Sequence, residues 1–330
     1  MSIFVDENTR IIVQGITGKE GAYWTGHMLD MGATVVAGVT PGKEGQDVRG
    51  VPVYHSVARA RAAHTAHTAD AAMLFVPPRF TKDAVFEALD AGIQKVVTIA
   101  DGIPLHDQIQ IRSAARSAGA QVVGGNTSGV ISPGKSMLGI FPYWITRVYN
   151  PGSIGVMTRS GSLTNEVTSM IVQKGFGVSS LIGVGGDPVP GSRFAEFLPA
   201  FEEDPETEGV VIVGELGGTM EEEVAQAIAE GTFTKPLVAF IGGRTAPKGK
   251  RMGHAGAIVT GTTGTVAAKT AALESAGARV AQRPSQVGTL LQELMAERSG
   301  AGSSSRAQAG VQPAGGSAST PSAATKEAAR

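Results

Sequence analysis

The sequence predicts an α/β protein of two doubly wound domains, each a parallel β-sheet with helices on both faces, the first opening as a Rossmann-like unit. Three observations carry this. Short runs rich in β-branched residues alternate with segments of helical spacing along most of the 330 residues. The 45 glycines exceed the usual share of about 7% and cluster after the apolar runs, where α/β chains turn from strand into helix. The pattern restarts after an aromatic, irregular stretch from Pro142 to Pro151, which marks a join. The expected domains are therefore residues 1–145 and 146–297, with a tail over 298–330.

In the first domain, Ile11 to Gln14 is a β-branched run followed by GITGKEG, and Ala22 to Met31 has helical spacing that stops at Gly32. Gly15, Gly18 and Gly21 are spaced G-x-x-G-x-x-G rather than G-x-G-x-x-G, a weak dinucleotide fingerprint. Thr34 to Val39 is the next strand. Thr40 then stands where an NAD site uses an acidic residue to hold the ribose, which argues against NAD. Lys43, in a Pro-Gly turn beside the first loop, suits a phosphate. Val57 to Ala63 is a helix, and Ala71 to Val76, ending at Pro77-Pro78, reads as a buried parallel strand. Thr81 is expected to cap a helix through Ala91, Lys95 to Ile99 is a strand ending in Ala100-Asp101-Gly102, and His106 to Ala118 is a helix stopped by Gly119. Gln121 to Val123 leads into GGNTSGVISPGKS. Ligands of such sheets bind at the carboxyl ends of the strands, so loops 15–21, 40–45, 77–80, 99–102 and 124–129 should share one edge.

In the second domain, Ser153 to Met157 is a strand, TRSGSLT a Gly/Ser loop, and Asn165 to Lys174 a helix stopped by Gly175. Ser160, Gly161 and Ser162 offer hydroxyls and backbone N–H groups to an anion. Plain N-capping by Ser162 explains the same residues equally well. Ser180 to Val184 enters GVGGDPVPG, a rigid exposed loop, and Ala195 to Glu202 is a helix. Gly209 to Val213 is a strongly apolar strand ending in Glu215-Leu216-Gly217-Gly218, and Thr219 with Glu222 predicts a capping box for the helix through Ala229. Glu215 either orients an imidazole or simply faces solvent. Pro236 to Ile241 is the strand before GGRTAPKGKRMGHAG, in which Lys248, Lys250, Arg251 and His254 sit among small residues. An accessible histidine beside fixed positive charge suits a transient phosphoryl or acyl acceptor. An ordinary polar loop histidine fits the same pattern. Thr265 to Ser275 is a helix, Arg279 to Ala281 a short strand and Pro284 to Glu297 the last helix. From Ser299 onward Val311 is the only branched aliphatic, too little apolar surface to offset the entropy of ordering, so a disordered tail is expected.

Composition excludes several classes. A net charge of -1 provides no basic field for nucleic acid or an anionic membrane. With no cysteine there is no disulfide framework, thiolate nucleophile or cysteine metal site, which fits a reducing compartment, and no metal site is expected on this chain. The start, MSIFVDENTR, lacks the features of a signal peptide, and no apolar run is long enough to span a bilayer. A cytoplasmic protein is expected.

From about Ser2 to Leu294 the chain resembles the α subunit of succinyl-CoA synthetase (succinate-CoA ligase). The resemblance is carried by VQGITGKEG, GVTPGKEG, ADGIP, GGNTSGVISPG, RSGSLTNE, GVGGDPVPGS, GELGG and TAPKGKRMGHAG. It implies a Rossmann-like CoA-binding domain followed by a flavodoxin-like ligase domain. It also implies that His254 is phosphorylated during turnover, that Glu215 contacts it, and that Ser160 and Gly161 hold the phosphate at a helix N-terminus. Coenzyme A would be bound through Thr17, Gly18, Lys19, Glu20, Lys43, Ile99, Ala100 and Asp101. ATP or GTP, with Mg2+, would sit on a separate β subunit of ATP-grasp fold, so that this chain alone lacks full activity. The implied acid is a small dicarboxylate, with succinate first and malate or another dicarboxylate as the alternative; a non-catalytic CoA-binding paralogue is a reading of another class. Three departures fall near the acyl end of the implied site. Asn165 replaces the family's usual tyrosine beside the substrate, residues Gly125 to Gly129 replace a Pro-Asn-Cys-Pro-Gly run, and Pro142 to Tyr149 lacks the usual histidine. On this reading the Asn165 and Thr127 regions decide which acid is used.

Overall fold

The computed structural model describes residues 2–63, 69–246, 253–259 and 264–308. In the first half the chain runs β1 (Arg10–Gln14), α1 (Lys19–Asp30), β2 (Thr34–Val39), β3 (Asp47–Val48), β4 (Val51–Tyr54), α2 (Val57–Ala62), β5 (Ala71–Leu74), α3 (Thr81–Asp90), β6 (Lys95–Thr98), α4 (Leu105–Ser117) and β7 (Gln121–Val123). These strands form one sheet in the order β3-β4-β2-β1-β5-β6-β7. All pairs are parallel except β3 with β4. Leaving the β3 hairpin aside, this is the Rossmann order, whose switch point lies between β1 and its neighbour β5. Ile11, Ile12 and Val13 are fully buried, as a strand covered on both faces by helices must be. The spacing of Gly15 and Gly21 has a packing cause: a Cβ at Gly21 would stand 2.2 Å from the Gly15 carbonyl oxygen, so α1 seats directly on its own turn. Thr81 does not cap α3. A 3-10 turn over Pro78–Phe80 precedes it, and the Thr81 hydroxyl instead reaches the Pro77 carbonyl at 3.4 Å.

The second half runs β8 (Gly129–Ser132), β9 (Ser136–Gly139), β10 (Pro151–Thr158), α5 (Gly161–Gln173), β11 (Val178–Gly183), α6 (Leu198–Glu203), β12 (Gly209–Glu215), α7 (Met220–Ala229), β13 (Leu237–Gly242), α8 (Val266–Ser275), β14 (Arg279–Ala281) and α9 (Val287–Gln308). The sheet order is β14-β13-β12-β10-β11-β8-β9. Its five parallel strands β10 to β14 follow the flavodoxin-like 2-1-3-4-5 order. The β8–β9 hairpin adds antiparallel to β11.

Two expectations change here. Residues 129–139 lie before the expected join at 145/146, yet they pair with the second sheet. The fully buried β11 would otherwise present an open edge, and the hairpin covers it. The N-terminal residues also lean on the second sheet: the Ile3 N–H donates to Ser180 Oγ at 3.1 Å and Ser132 Oγ donates to the Val5 carbonyl at 2.8 Å. Finally, α9 continues through 298–308, where a disordered tail was expected; residues 309–330 lie outside the described residues.

One apolar core runs through both sheets, from Ile11 and Val13 in the first to Val156, Leu181 and Val211 in the second. Each such side chain contributes about 1.5–3 kcal/mol on burial. Polar ties close the join: Arg112 Nη1 donates to the Gly191 carbonyl at 2.8 Å, Arg112 Nη2 meets Glu196 at 2.6 Å, and the Gly191 N–H donates to the Gly124 carbonyl at 2.7 Å. The loops after β7 and β11 are thereby brought together. Among the described residues no helix is long and apolar enough to cross a membrane.

Candidate active site

Glu215 is the last residue of β12, and His254 lies on the loop that follows β13, the adjacent strand. The topology therefore delivers a carboxylate and an imidazole to one edge. His254 Nδ1 is 2.7 Å from Glu215 Oε2, with the histidine side chain 25% exposed. The contact raises the histidine above its ordinary pKa, chiefly through the Glu215 hydrogen bond; partial burial and the Arg159 cation oppose this, and Asp101 reinforces it. A neutral ring donating from Nδ1 carries its nucleophilic lone pair on Nε2, and the carboxylate is placed to stabilise positive charge that appears on the ring when Nε2 bonds to a transferred group. Lys248, Lys250 and Arg251 lie outside the described residues.

Gly186 lies against the imidazole. A Cβ there would be 2.4 Å from His254 Cγ and 2.5 Å from Nδ1, so only glycine leaves the ring its present seat. The Gly186 carbonyl accepts from the Gly256 N–H at 3.2 Å, its own N–H donates to the Asn126 carbonyl at 3.2 Å, and the Asn126 N–H donates to the Ala100 carbonyl at 2.8 Å. The loop after β6, with Ala100 and Asp101, is thus tied through Asn126 to the loop under the histidine.

Arg159 follows β10 and is 3% exposed. Its Nη2 is 3.0 Å from Glu215 Oε1 and its Nη1 donates to the Gly217 carbonyl at 3.1 Å. Ser160 comes next, at the N-cap position of α5, and no side-chain capping bond is made there. Capping by Ser162 is therefore not what holds the helix start; Thr158 Oγ1 accepts the Ser160 N–H at 3.0 Å, and Thr164 bonds to the Ser160 carbonyl. The helix presents Gly161 and the amides of its first turn to any anion beyond Ser160. Nor does the Thr219–Glu222 capping box form. Thr219 Oγ1 donates to Glu223 Oε1 at 3.0 Å, and Glu222 pairs with Lys269 at 2.8 Å.

Beside this helix start, Ser128, Phe141, Gly161 and Thr164 line a small recess. Asn165 is exposed one residue past Thr164, and its Oδ1 accepts from the hydroxyl of the buried Tyr149, whose phenol burial pushes up in pKa. Thr127 is occupied otherwise: its hydroxyl donates to the Gly183 carbonyl at 2.5 Å and accepts from the Gly129 N–H at 3.0 Å. It ties two loops together and also lines the recess with Ser128 and Gly161.

At the switch point of the first sheet, Thr17 and Gly18 line a cleft of ≈ 710 Å³ together with Thr40, Val76, Pro77 and Phe80. Lys19 and Glu20 are exposed in the first turn of α1, and Lys43 is exposed on the turn after β2. Ile99, Ala100 and Asp101 follow β6 on the side toward the histidine loop. The expected coenzyme residues therefore span from the cleft to the imidazole rather than lining one pocket. Thr40 fills the position of an NAD-binding acid, its hydroxyl 3.1 Å from that of Thr17. Sequence reasoning missed Arg159, Gly186, Glu221, Lys269 and Tyr149. Arg159 stood in the RSGSLTNE segment, which signalled the loop but not the residue.

Comparison with known proteins agrees with this layout. A family model described as CoA binding domain matches residues 6–102, and one described as CoA-ligase matches residues 157–279. The ADP-forming sulfoacetate-CoA ligase subunit SauD of Bilophila wadsworthia is 70% identical over 295 residues, 89% of this chain and 100% of that protein. Subunit SqwL of an ADP-forming sulfoacetate-CoA ligase from an Acholeplasma species is 69% identical, over 89% and 98% of the two chains. Subunit alpha 1 of the ADP-forming succinate-CoA ligase of Archaeoglobus fulgidus is 51% identical over 86% and 94%. Among solved structures, an ATP citrate lyase from Methanothrix soehngenii, in complex with citrate and coenzyme A, superposes with a TM-score of 0.82 at 26% identity, covering 96% of this chain and 57% of that one. The chain belongs to the CoA-ligase family, alongside the α subunits of the succinate-CoA ligases.

Proposed function

We propose that the chain is the histidine-bearing α subunit of an ADP-forming acid-CoA ligase and that the acid is sulfoacetate. The observation that carries the reaction type is the His254 Nδ1 contact to Glu215 at 2.7 Å, set beside the start of α5. In this reading Nε2 of neutral His254 attacks the γ-phosphorus of ATP and ADP leaves. A carboxylate oxygen of the acid then takes the phosphoryl group, returning the electron pair to Nε2, and the sulfur of coenzyme A displaces phosphate from the acyl phosphate. The histidine divides one difficult transfer into easier ones. Glu215 orients the ring, while Ser160, Gly161 and the α5 amides receive the migrating anion.

The two sheets divide the labour: the first, with its loops, binds coenzyme A through Thr17, Gly18, Lys19, Glu20, Lys43, Ile99, Ala100 and Asp101, and the second carries the phosphoryl group. ATP and its Mg2+ belong to a β subunit of ATP-grasp fold. Sulfoacetate is favoured over succinate by the two relatives near 70% identity, against 51% for the succinate-CoA ligase subunit. Asn165 fits a sulfonate. With Oδ1 engaged by Tyr149, its amide N–H groups remain as donors for an anionic oxygen.

The test is a substrate screen on the complex with the β subunit. Sulfoacetate, succinate and malate are each offered with ATP and coenzyme A, and acyl-CoA is followed by mass. Sulfoacetate should show a kcat/KM at least about tenfold above the others, the scale of one lost charged contact. A higher value for succinate or malate would replace the acid while leaving the reaction intact.

A further inference from the structure

A set of buried charges lies behind the Glu215–His254 pair, and the phosphoryl chemistry makes no direct use of it. Lys269, in α8, is fully buried. Its ammonium donates to Glu221 Oε2, to Glu222 Oε2 at 2.8 Å and to the Gly218 carbonyl at 3.0 Å. Glu221, in the first turn of α7, is equally buried. Its Oε1 accepts the backbone N–H of Glu215 at 3.0 Å and stands 3.9 Å from Arg159 Nη1. A continuous path of contacts therefore runs Lys269, Glu221, Arg159, Glu215, His254.

Arg159 is the divided member of this path. It has one carboxylate at 3.0 Å and a second at 3.9 Å. Neither Glu215 Oε1 nor Arg159 Nε makes an aligned hydrogen bond, so Arg159 meets Glu215 by charge while its directed bond goes to the Gly217 carbonyl at 3.1 Å. In a dry site the competition between two carboxylates for one cation is strong, and Lys269 supplies the positive charge that satisfies Glu221.

We propose that the Lys269–Glu221 pair is a positioning device that keeps Arg159 on Glu215, the carboxylate that orients His254. It rests on the reading of His254 as the phosphoryl carrier. Among the described residues, the charged groups facing the imidazole are Glu215 from β12, Arg159 from the loop after β10 and Asp101 from the loop after β6. Of these, Arg159 meets the Glu221 carboxylate with its side chain at 3.9 Å, while Glu215 meets it only through its backbone N–H at 3.0 Å, a bond that the amide oxygen of Glu221→Gln keeps. Removing Lys269 draws Arg159 toward Glu221, leaves Glu215 with less opposing charge and lets His254 keep its proton to higher pH. Removing the Glu221 charge gives Arg159 wholly to Glu215 and lowers the histidine titration.

The experiment is an NMR titration of the His254 ring in the full chain. In Lys269→Met the midpoint rises, and in Glu221→Gln it falls, each by about one pH unit, the effect of one nearby charge. Glu222→Gln removes a charge from the same lysine without touching the Arg159 pair, and its midpoint stays with the wild type. An unmoved midpoint in both Lys269→Met and Glu221→Gln, or a Glu222→Gln shift equal to that of Glu221→Gln, overturns the proposal in favour of a purely structural or long-range role. Lys269→Met leaves buried carboxylates short of a partner. Should it not fold, Glu221→Gln, whose amide oxygen still accepts from Glu215, decides together with Glu222→Gln. The titration needs no phosphorylation, so failure of the phosphohistidine reading appears in labelling assays and is separate from failure of this one.

Discussion

Replacing Gly186 by alanine places a methyl carbon 2.4 Å from His254 Cγ and 2.5 Å from Nδ1. Carbon atoms in contact sit about 3.5–4 Å apart, so the ring must retreat by roughly 1 Å or more. It has room to do so, because the side chain is 25% exposed, and the damage therefore falls on geometry rather than on folding. A retreat of that size stretches the Nδ1–Oε2 contact from 2.7 Å past the hydrogen-bond limit of about 3.2 Å. Losing a charge-assisted bond costs about 1.5–3 kcal/mol, a factor of roughly 10–150 in rate, and a 1 Å misplacement of a reacting group alone can cost about 10²-fold. Gly186→Ala should slow phosphoryl transfer from ATP to the chain about 100-fold in the complex with its β subunit, followed by rapid-quench labelling, with a thermal midpoint within about 2 °C of wild type. Gly185→Ala provides the contrast. There φ is +93° and the added carbon meets the Gly125 carbonyl oxygen at 2.0 Å, so stability falls along with rate. Labelling of Gly186→Ala at the wild-type rate would refute the account of how the imidazole is seated.

Three further outcomes follow from the same geometry. Glu215→Gln removes the carboxylate that raises the His254 pKa. Since only the neutral ring attacks, the acid limb of the labelling rate should move to lower pH while its plateau falls about 10- to 100-fold. Thr127→Val deletes bonds to the Gly183 carbonyl and the Gly129 N–H, so urea unfolding should show a loss of about 1–3 kcal/mol with no change in the ranking of acids. Gly21→Ala drives a carbon to 2.2 Å from the Gly15 carbonyl oxygen and should weaken coenzyme A binding by more than about tenfold in calorimetry, with the His254 titration unchanged.

The strand–turn–helix rhythm was readable because parallel strands buried on both faces are continuous apolar runs, as Ile11 to Val13 and Val210 to Val213 are. Glycine stops at 32, 92, 119 and 175 each coincide with positive φ just past a helix. Glu215 and His254 share an edge because they follow β12 and β13, which pair in parallel. The β8–β9 hairpin was not readable: GVIS and SMLG are short and glycine-flanked, and GVIS pairs with a strand about 50 residues on, an affinity that lies in the edge of β11 and not in local propensity. None of the caps considered at Thr81, Ser162 and Thr219 forms. A preceding turn takes the Thr81 hydroxyl, Glu223 and Lys269 take the Thr219–Glu222 pair, and α5 starts one residue before Ser162, with Ser160 at its N-cap; such competition is invisible to spacing rules. Lys269 illustrates the limit most clearly, because a lysine in an alanine-rich helix reads as solvated surface until α7 places two carboxylates on it.

The most direct test of the central claim is the site of labelling. The full chain, assembled with its β subunit and given ATP labelled in the γ-phosphate, should acquire acid-labile, base-stable label on a single peptide. Fragmentation of that peptide should place the phosphoryl group on His254, and sulfoacetate with coenzyme A should discharge it. Label on any other residue, or label that persists in His254→Ala, would contradict a phosphohistidine at this position.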